Sequence, residues 1–160
     1  DAAALGFSEY NILNASSVAA EAGAHLDQAD SLIQKTKELS PQIIFVSLGS
    51  SDVNNTNGDT ARFTELYEDF LETLQTEIPD AHIFVNSVFP VQEKAYEENP
   101  AFEQIGEYNA ALEQLCDSRQ VGYIDNTGIV EDQYYEEDGI HFNRSFFPVW
   151  AENMAEVAAL

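Results

Sequence analysis

Residues 42–48 (Gln-Ile-Ile-Phe-Val-Ser-Leu) make a nearly continuous apolar run between Pro41 and Gly49, the pattern of a strand buried in a parallel sheet. Behind Asp59, a good N-cap, the spacing changes: Phe63, Leu66, Tyr67, Phe70, Leu71, Leu74 and Ile78 recur every three or four positions. This predicts a helix over 60–77 that packs its apolar stripe on the sheet. The alternation then repeats. A strand is expected over 82–88, stopped by Pro90, followed by a helix over 101–119 that carries Phe102, Ile105, Leu112, Leu115 and Cys116. A short strand over 121–125 comes next, and a last helix over 144–159 is expected to bury Phe147, Trp150, Met154 and Val157. Towards the start the signals are weaker, with 17–22 reading as a strand and 27–39 as a helix.

Strands that alternate with helices imply right-handed crossovers and a parallel three-layer α/β/α sheet. The chain shows no internal repeat and no low-complexity tract, so one domain is expected over 1–160. Ligands of such sheets sit beyond the carboxyl ends of the strands. The loops that begin at Gly23, Gly49, Pro90 and Asn126 are expected to converge there with the loop over 138–141.

Composition narrows the partners. With 29 acidic and 6 basic residues the formal charge is −23, which repels polyanions and disfavours nucleic acid and anionic membranes. The acids are spread over helix faces and loops, as on a solvated surface. No segment has the length of a membrane-spanning helix. The single cysteine, Cys116, sits among Leu112, Leu115 and Val121, where a thiol acts as a small core hydrophobe. Scattered histidines and a lone cysteine imply no metal site, and no cofactor is expected. A nucleotide or response domain of flavodoxin type is disfavoured, because no Gly-rich phosphate loop follows a strand.

The chemistry-bearing stretch is Asp138-Gly139-Ile140-His141. A carboxylate that accepts a hydrogen bond from one ring nitrogen of an imidazole fixes its tautomer and leaves the other nitrogen to take a proton from a nucleophile. The plainer alternative for His141 is a residue that caps the loop ahead of the last helix. His25 and His82 read as surface or sheet-end residues, and Asp52 as a turn residue bonded to its own backbone. Gly23 is consistent with a turn alone, and Ser8, Ser50 and Ser51 with polar loop positions.

Four short stretches, in order, resemble the SGNH/GDSL hydrolase family of acyl-ester hydrolases, which have a flavodoxin-like sheet. Asp1-Ala2-Ala3-Ala4-Leu5-Gly6-Phe7 resembles the Gly-Asp-Ser opening without its first glycine and with Ala2 in the place of the nucleophilic serine. Gly23 matches the glycine whose N–H helps to hold the oxyanion. Leu48-Gly49-Ser50-Ser51-Asp52-Val53 is similar to the Gly-x-Asn-Asp block, with Ser51 where the oxyanion-binding Asn stands. Asp138-Gly139-Ile140-His141 matches the Asp-x-x-His block in full. Tyr108-Asn109-Ala110-Ala111-Leu112 and Val88-Phe89-Pro90-Val91 resemble the penultimate helix and the end of the fourth strand of the family.

The resemblance implies an esterase or carbohydrate deacetylase acting on a small-molecule or glycan ester without a cofactor. His141 and Asp138 would act on a nucleophile at position 2, and Gly23, Ser51 and Asp52 would serve the oxyanion and substrate. It also implies a first strand ahead of Asp1 and hence an N-terminus cut short. Exported or surface-attached bacterial relatives are common, a habit that suits the acidity; oligomeric state is silent. Ala2 has no oxygen to attack with, and Ser51 donates from a shorter arm than Asn. Impaired or absent activity is therefore expected, in a natural pseudoenzyme or in an enzyme inactivated by a Ser-to-Ala change. The latter accounts for Ala2 but not for Ser51. A non-catalytic domain that binds acylated glycan in the same cleft is the alternative.

Overall fold

Ile44 and Val46 on one strand and Ile83 and Val85 on the next point to the same side of a parallel sheet, where all four are buried. The computed structural model describes residues 17–19 and 23–160. Its sheet has three strands in the order β1 (Ile43–Val46), β2 (His82–Asn86), β3 (Gly122–Ile124), all parallel. Ile43 lies opposite His82, and Phe84 opposite Gly122. Each strand is shorter than the run that predicts it, β2 only at its C-terminal end. Of the strand expected over 17–22, residues 17–19 are not in a strand, and 20–22 lie outside the described residues.

Five α-helices surround the described sheet: α1 (Asp30–Leu39), α2 (Ser50–Thr56), α3 (Thr60–Glu77), α4 (Ile105–Arg119) and α5 (Phe146–Val157). Helix α3 has the expected limits. Asp59 accepts a hydrogen bond from Arg62 N at 2.9 Å, an N-cap that contributes about 1 kcal/mol. Phe63, Leu66, Tyr67, Phe70, Leu71 and Leu74 form its buried stripe. Helix α4 packs beside it, with the Phe63 and Tyr108 rings edge to face at 4.7 Å. Cys116 is fully buried there, as its apolar neighbours imply, and burial pushes its thiol up to about 12.

The other face of the sheet carries Asn86 and Ile124. There α5 is joined to it through Trp150, whose Nε1 donates to Asn86 Oδ1 at 2.9 Å. Helices on both faces make the three-layer arrangement that the alternating pattern predicts.

Three of the expected helices differ in detail. The helix expected over 27–39 is a 3₁₀ turn, Leu26–Gln28, followed by α1. The one over 101–119 opens as a 3₁₀ segment, Pro100–Gln104, capped by Asn99, before α4 begins. In the last helix Phe147 is 52% exposed and Val157 45% exposed. Phe146 takes the inward position instead, since adjacent residues on a helix point about 100° apart.

Candidate active site

The loop that carries His141 is built by short backbone bonds. Tyr135 and Phe142 form an antiparallel bridge, Glu136 N donates to His141 O at 2.8 Å, and Gly139 N to Glu136 O at 3.1 Å. Gly139 has a φ of +71°, a left-handed conformation that suits glycine. Within this turn Asp138 Oδ1 accepts both Ile140 N and His141 N at 2.9 Å. Its Oδ2 lies 2.5 Å from His141 Nδ1. The hydrogen bond to His141, and after it the two backbone donors, hold the Asp138 carboxyl well below the usual carboxylate range. The imidazole side chain is 78% exposed. Among the described residues only Nδ1 of the ring is hydrogen-bonded, which leaves Nε2 open for proton transfer.

Phe142, next in sequence, anchors the loop. Its ring stacks on Phe146 at 4.2 Å, meets Phe89 edge to face at 5.1 Å and lies 4.9 Å from Tyr135. Such pairs contribute about 0.5–1.5 kcal/mol each beyond area burial. Tyr135 OH donates to Pro90 O at 2.7 Å, so the loop after β3 is tied to the loop after β2.

The second segment follows β1. Gly49, at φ +112°, turns the chain into α2, and a Cβ there would press on the Phe63 ring at 3.2 Å. Ser51 lies in the first turn of α2. Asp52, beside it, is fully buried and bonds not to its own helix but to the loop after Gly23. Leu26 N donates to Asp52 Oδ1 at 3.2 Å and approaches Oδ2 at 3.3 Å. His25 Nδ1, shielded from solvent, faces Asp52 Oδ1 at 3.4 Å without the alignment of a hydrogen bond. Burial raises the Asp52 carboxyl above its ordinary value, offset in part by Leu26 N and His25.

These contacts correct two sequence readings. Asp52 is neither an ordinary turn residue nor open to a substrate, and His25 is not simply a surface residue. The pairing spans 26 or 27 positions, beyond the reach of any local spacing signal. Gly23 stands at φ +68°, and among the described residues nothing lies within 4 Å of where its Cβ would project. His82 is an exposed residue at the start of β2. Ala2 lies outside the described residues, as does Ser8.

The segment over 91–99 joins the two halves of the site. Gln92 N donates to Gly139 O at 2.9 Å, and Asn99 is hydrogen-bonded to Asn54 on α2. Beneath the strand ends lies a buried amide network that no sequence pattern marks. Asn86 Nδ2 donates to Val46 O at 3.0 Å, and Asn86 Oδ1 accepts Asn126 Nδ2 at 3.0 Å as well as the Trp150 indole. Asn126 Oδ1 accepts Asn153 Nδ2 at 3.0 Å. The network joins the ends of all three described strands to α5. Among the described residues no three His, Cys, Asp or Glu side chains cluster as metal ligands, and no helix is long and apolar enough to cross a membrane.

Solved structures share this architecture. A protein described as a GDSL-like lipase from Parabacteroides merdae superposes with a TM-score of 0.72 at 14% identity, over 86% of this chain and 69% of its own. An acetyl xylan esterase gives 0.66 at 16% identity, covering 84% of this chain and 76% of its own. A carbohydrate esterase family 3 protein from Talaromyces cellulolyticus gives 0.65 at 18% identity, covering 86% and 70%. Among curated proteins none matches this sequence. The model of the GDSL-like lipase/acylhydrolase family matches residues 2–145. With its parallel sheet between helices and that match over most of its length, this chain belongs to the GDSL-like lipase/acylhydrolase family.

Proposed function

We propose that the chain is a single ester-hydrolase domain over 1–160, shaped for small acyl esters or acylated carbohydrate, whose serine-dependent chemistry is impaired in this sequence. One observation carries the reading: His141 Nδ1 sits 2.5 Å from an Asp138 carboxylate whose other oxygen is held by two backbone N–H groups. Such a carboxylate orients an imidazole and stabilises its protonated form during acyl transfer. His141 is the general base in this reading, Asp138 its orienting partner, position 2 the site of the nucleophile, and Gly23 N–H and Ser51 the oxyanion donors.

Ala2 leaves the base nothing to activate. A triad that lacks one member retains about 10³ to 10⁴ of acceleration over water, and a lost side-chain oxyanion donor costs about 10² to 10³ in rate. The esterases among the superposed structures, two of which act on carbohydrate by name, support the substrate class.

Restoring the nucleophile tests this. Ala2→Ser should turn over p-nitrophenyl acetate, and Ala2→Ser/His141→Ala should not. Absence of turnover in Ala2→Ser removes the esterase reading. Ala2 and Ser51 together favour a second reading, a non-catalytic binder of acylated glycan. Glycan binding without product, weakened by substitutions over 90–100, would establish it.

A further inference from the structure

Asp52 occupies the Asp position of the Gly-x-Asn-Asp block, yet it has no exposed surface, so it cannot touch a substrate. A buried carboxylate carries a large desolvation cost unless its oxygens are bonded, and here they are given to one loop. Leu26 N points at both oxygens, and the adjacent His25 Nδ1 faces Oδ1. Leu26 is itself a core residue and lies three positions after Gly23, so the anchor is within about 11 Å of chain from that glycine.

The carboxylate's own position is fixed from the other side. Asp52 N and Val53 N both donate to Gly49 O at 3.0 Å, Val53 is fully buried, and Thr56 Oγ1 is 2.7 Å from Tyr108 OH. Ser51 precedes Asp52 in the same turn. One side chain therefore connects the two segments that carry the oxyanion donors of the proposed reaction, and among the described residues nothing lies within 4 Å of where a Gly23 Cβ would project.

We infer that Asp52 is a positioning residue of the oxyanion site, which clamps the Gly23–Leu26 backbone to the first turn of α2 through the Leu26 amide, with His25 facing it. The inference rests on the esterase reading, and its test separates the two. Two substitutions in the Ala2→Ser protein divide the roles of the carboxylate. Asp52→Asn keeps an acceptor for Leu26 N while placing a donor towards His25. Asp52→Leu removes every acceptor while keeping the branched four-atom skeleton.

With p-nitrophenyl acetate, kcat should fall by about 10- to 100-fold in Asp52→Leu, below the loss expected for deleting a donor outright. It should fall less in Asp52→Asn, with KM changed by less than about two-fold in both, because the loss is in transition-state binding. Deuterium exchange at the Leu26 amide should quicken about ten-fold in Asp52→Leu while Leu71 and Val85 keep their protection. An unchanged kcat in Asp52→Leu overturns the inference, and so does exchange that quickens equally at Leu71 and Val85. Should Ala2→Ser show no turnover, the esterase reading alone has failed. Exchange at Leu26 in the Ala2 protein then decides, and an unchanged rate there in Asp52→Leu overturns the clamp.

Discussion

Asn109 grips Val88 with both ends of its amide: Oδ1 accepts Val88 N at 2.8 Å and Nδ2 donates to Val88 O at 2.9 Å. A helix side chain thus pairs with a strand-end backbone as a neighbouring strand would. Both groups are buried, and an unpaired backbone group in that setting costs about 1–3 kcal/mol. Asn109→Leu, which keeps the branched shape but neither bond, should lower stability by about 2–4 kcal/mol in urea denaturation with little change in slope.

Gly122 has a different constraint. A Cβ at this position would stand 2.3 Å from Phe84 Cδ1, in the ring that lies opposite it across the β2–β3 pair. Gly122→Ala should therefore destabilise by about 1–3 kcal/mol through overpacking. Combining it with Phe84→Leu should cost less than the sum of the two single changes, a coupling that a double-mutant cycle measures directly.

Asp138 is depressed in the folded chain by His141 and two backbone donors. Its stabilising contribution is therefore present above the unfolded value near pH 4 and is lost as pH falls towards the folded value. In a carbon NMR titration its carboxyl signal should remain in the ionised position at about pH 3, where ordinary aspartates are already titrating. Asp138→Asn should abolish turnover in the Ala2→Ser protein while leaving the far-ultraviolet circular dichroism unchanged.

The sign is opposite at Asp52. Burial raises this carboxyl in the folded chain, so its contribution is present below the unfolded value and is lost as pH rises through the folded one. Stability of Asp52→Asn relative to the parent should therefore improve as pH rises above about 4 and level off once the folded-state value is passed. Urea denaturation at several pH values measures the trend; a flat difference would contradict the assignment.

What was legible in the sequence follows from the range of the interactions involved. Helix α3 reads correctly because Asp59 and its apolar stripe are local, and the contact of Asp138 with His141 because it closes over three residues. Helix α2 was missed. Its residues, Ser-Ser-Asp-Val-Asn-Asn-Thr, have one apolar member and poor intrinsic propensity, and tertiary contacts through Val53, Asp52 and Thr56 hold the turn in place. Asn86, Asn126 and Asn153 were missed for a related reason, since a buried amide is recognised only by the partners that surround it. His25 needed Asp52, 27 positions away, to acquire meaning. The two blocks that resemble the penultimate helix and the fourth strand end prove to be bonded to each other through Asn109 and Val88.

Trp150 is the only tryptophan in the chain, and its indole N–H is committed to Asn86 while its ring lies 5.5 Å from Phe89. The molecule thus contains a built-in optical reporter for one layer. Emission excited selectively through the indole follows the docking of the last helix and the aromatic support of the His141 loop, while the tyrosines in α3 and α4 sense the opposite side. A red shift that precedes the loss of circular dichroism would show the loop's support loosening before the main core melts.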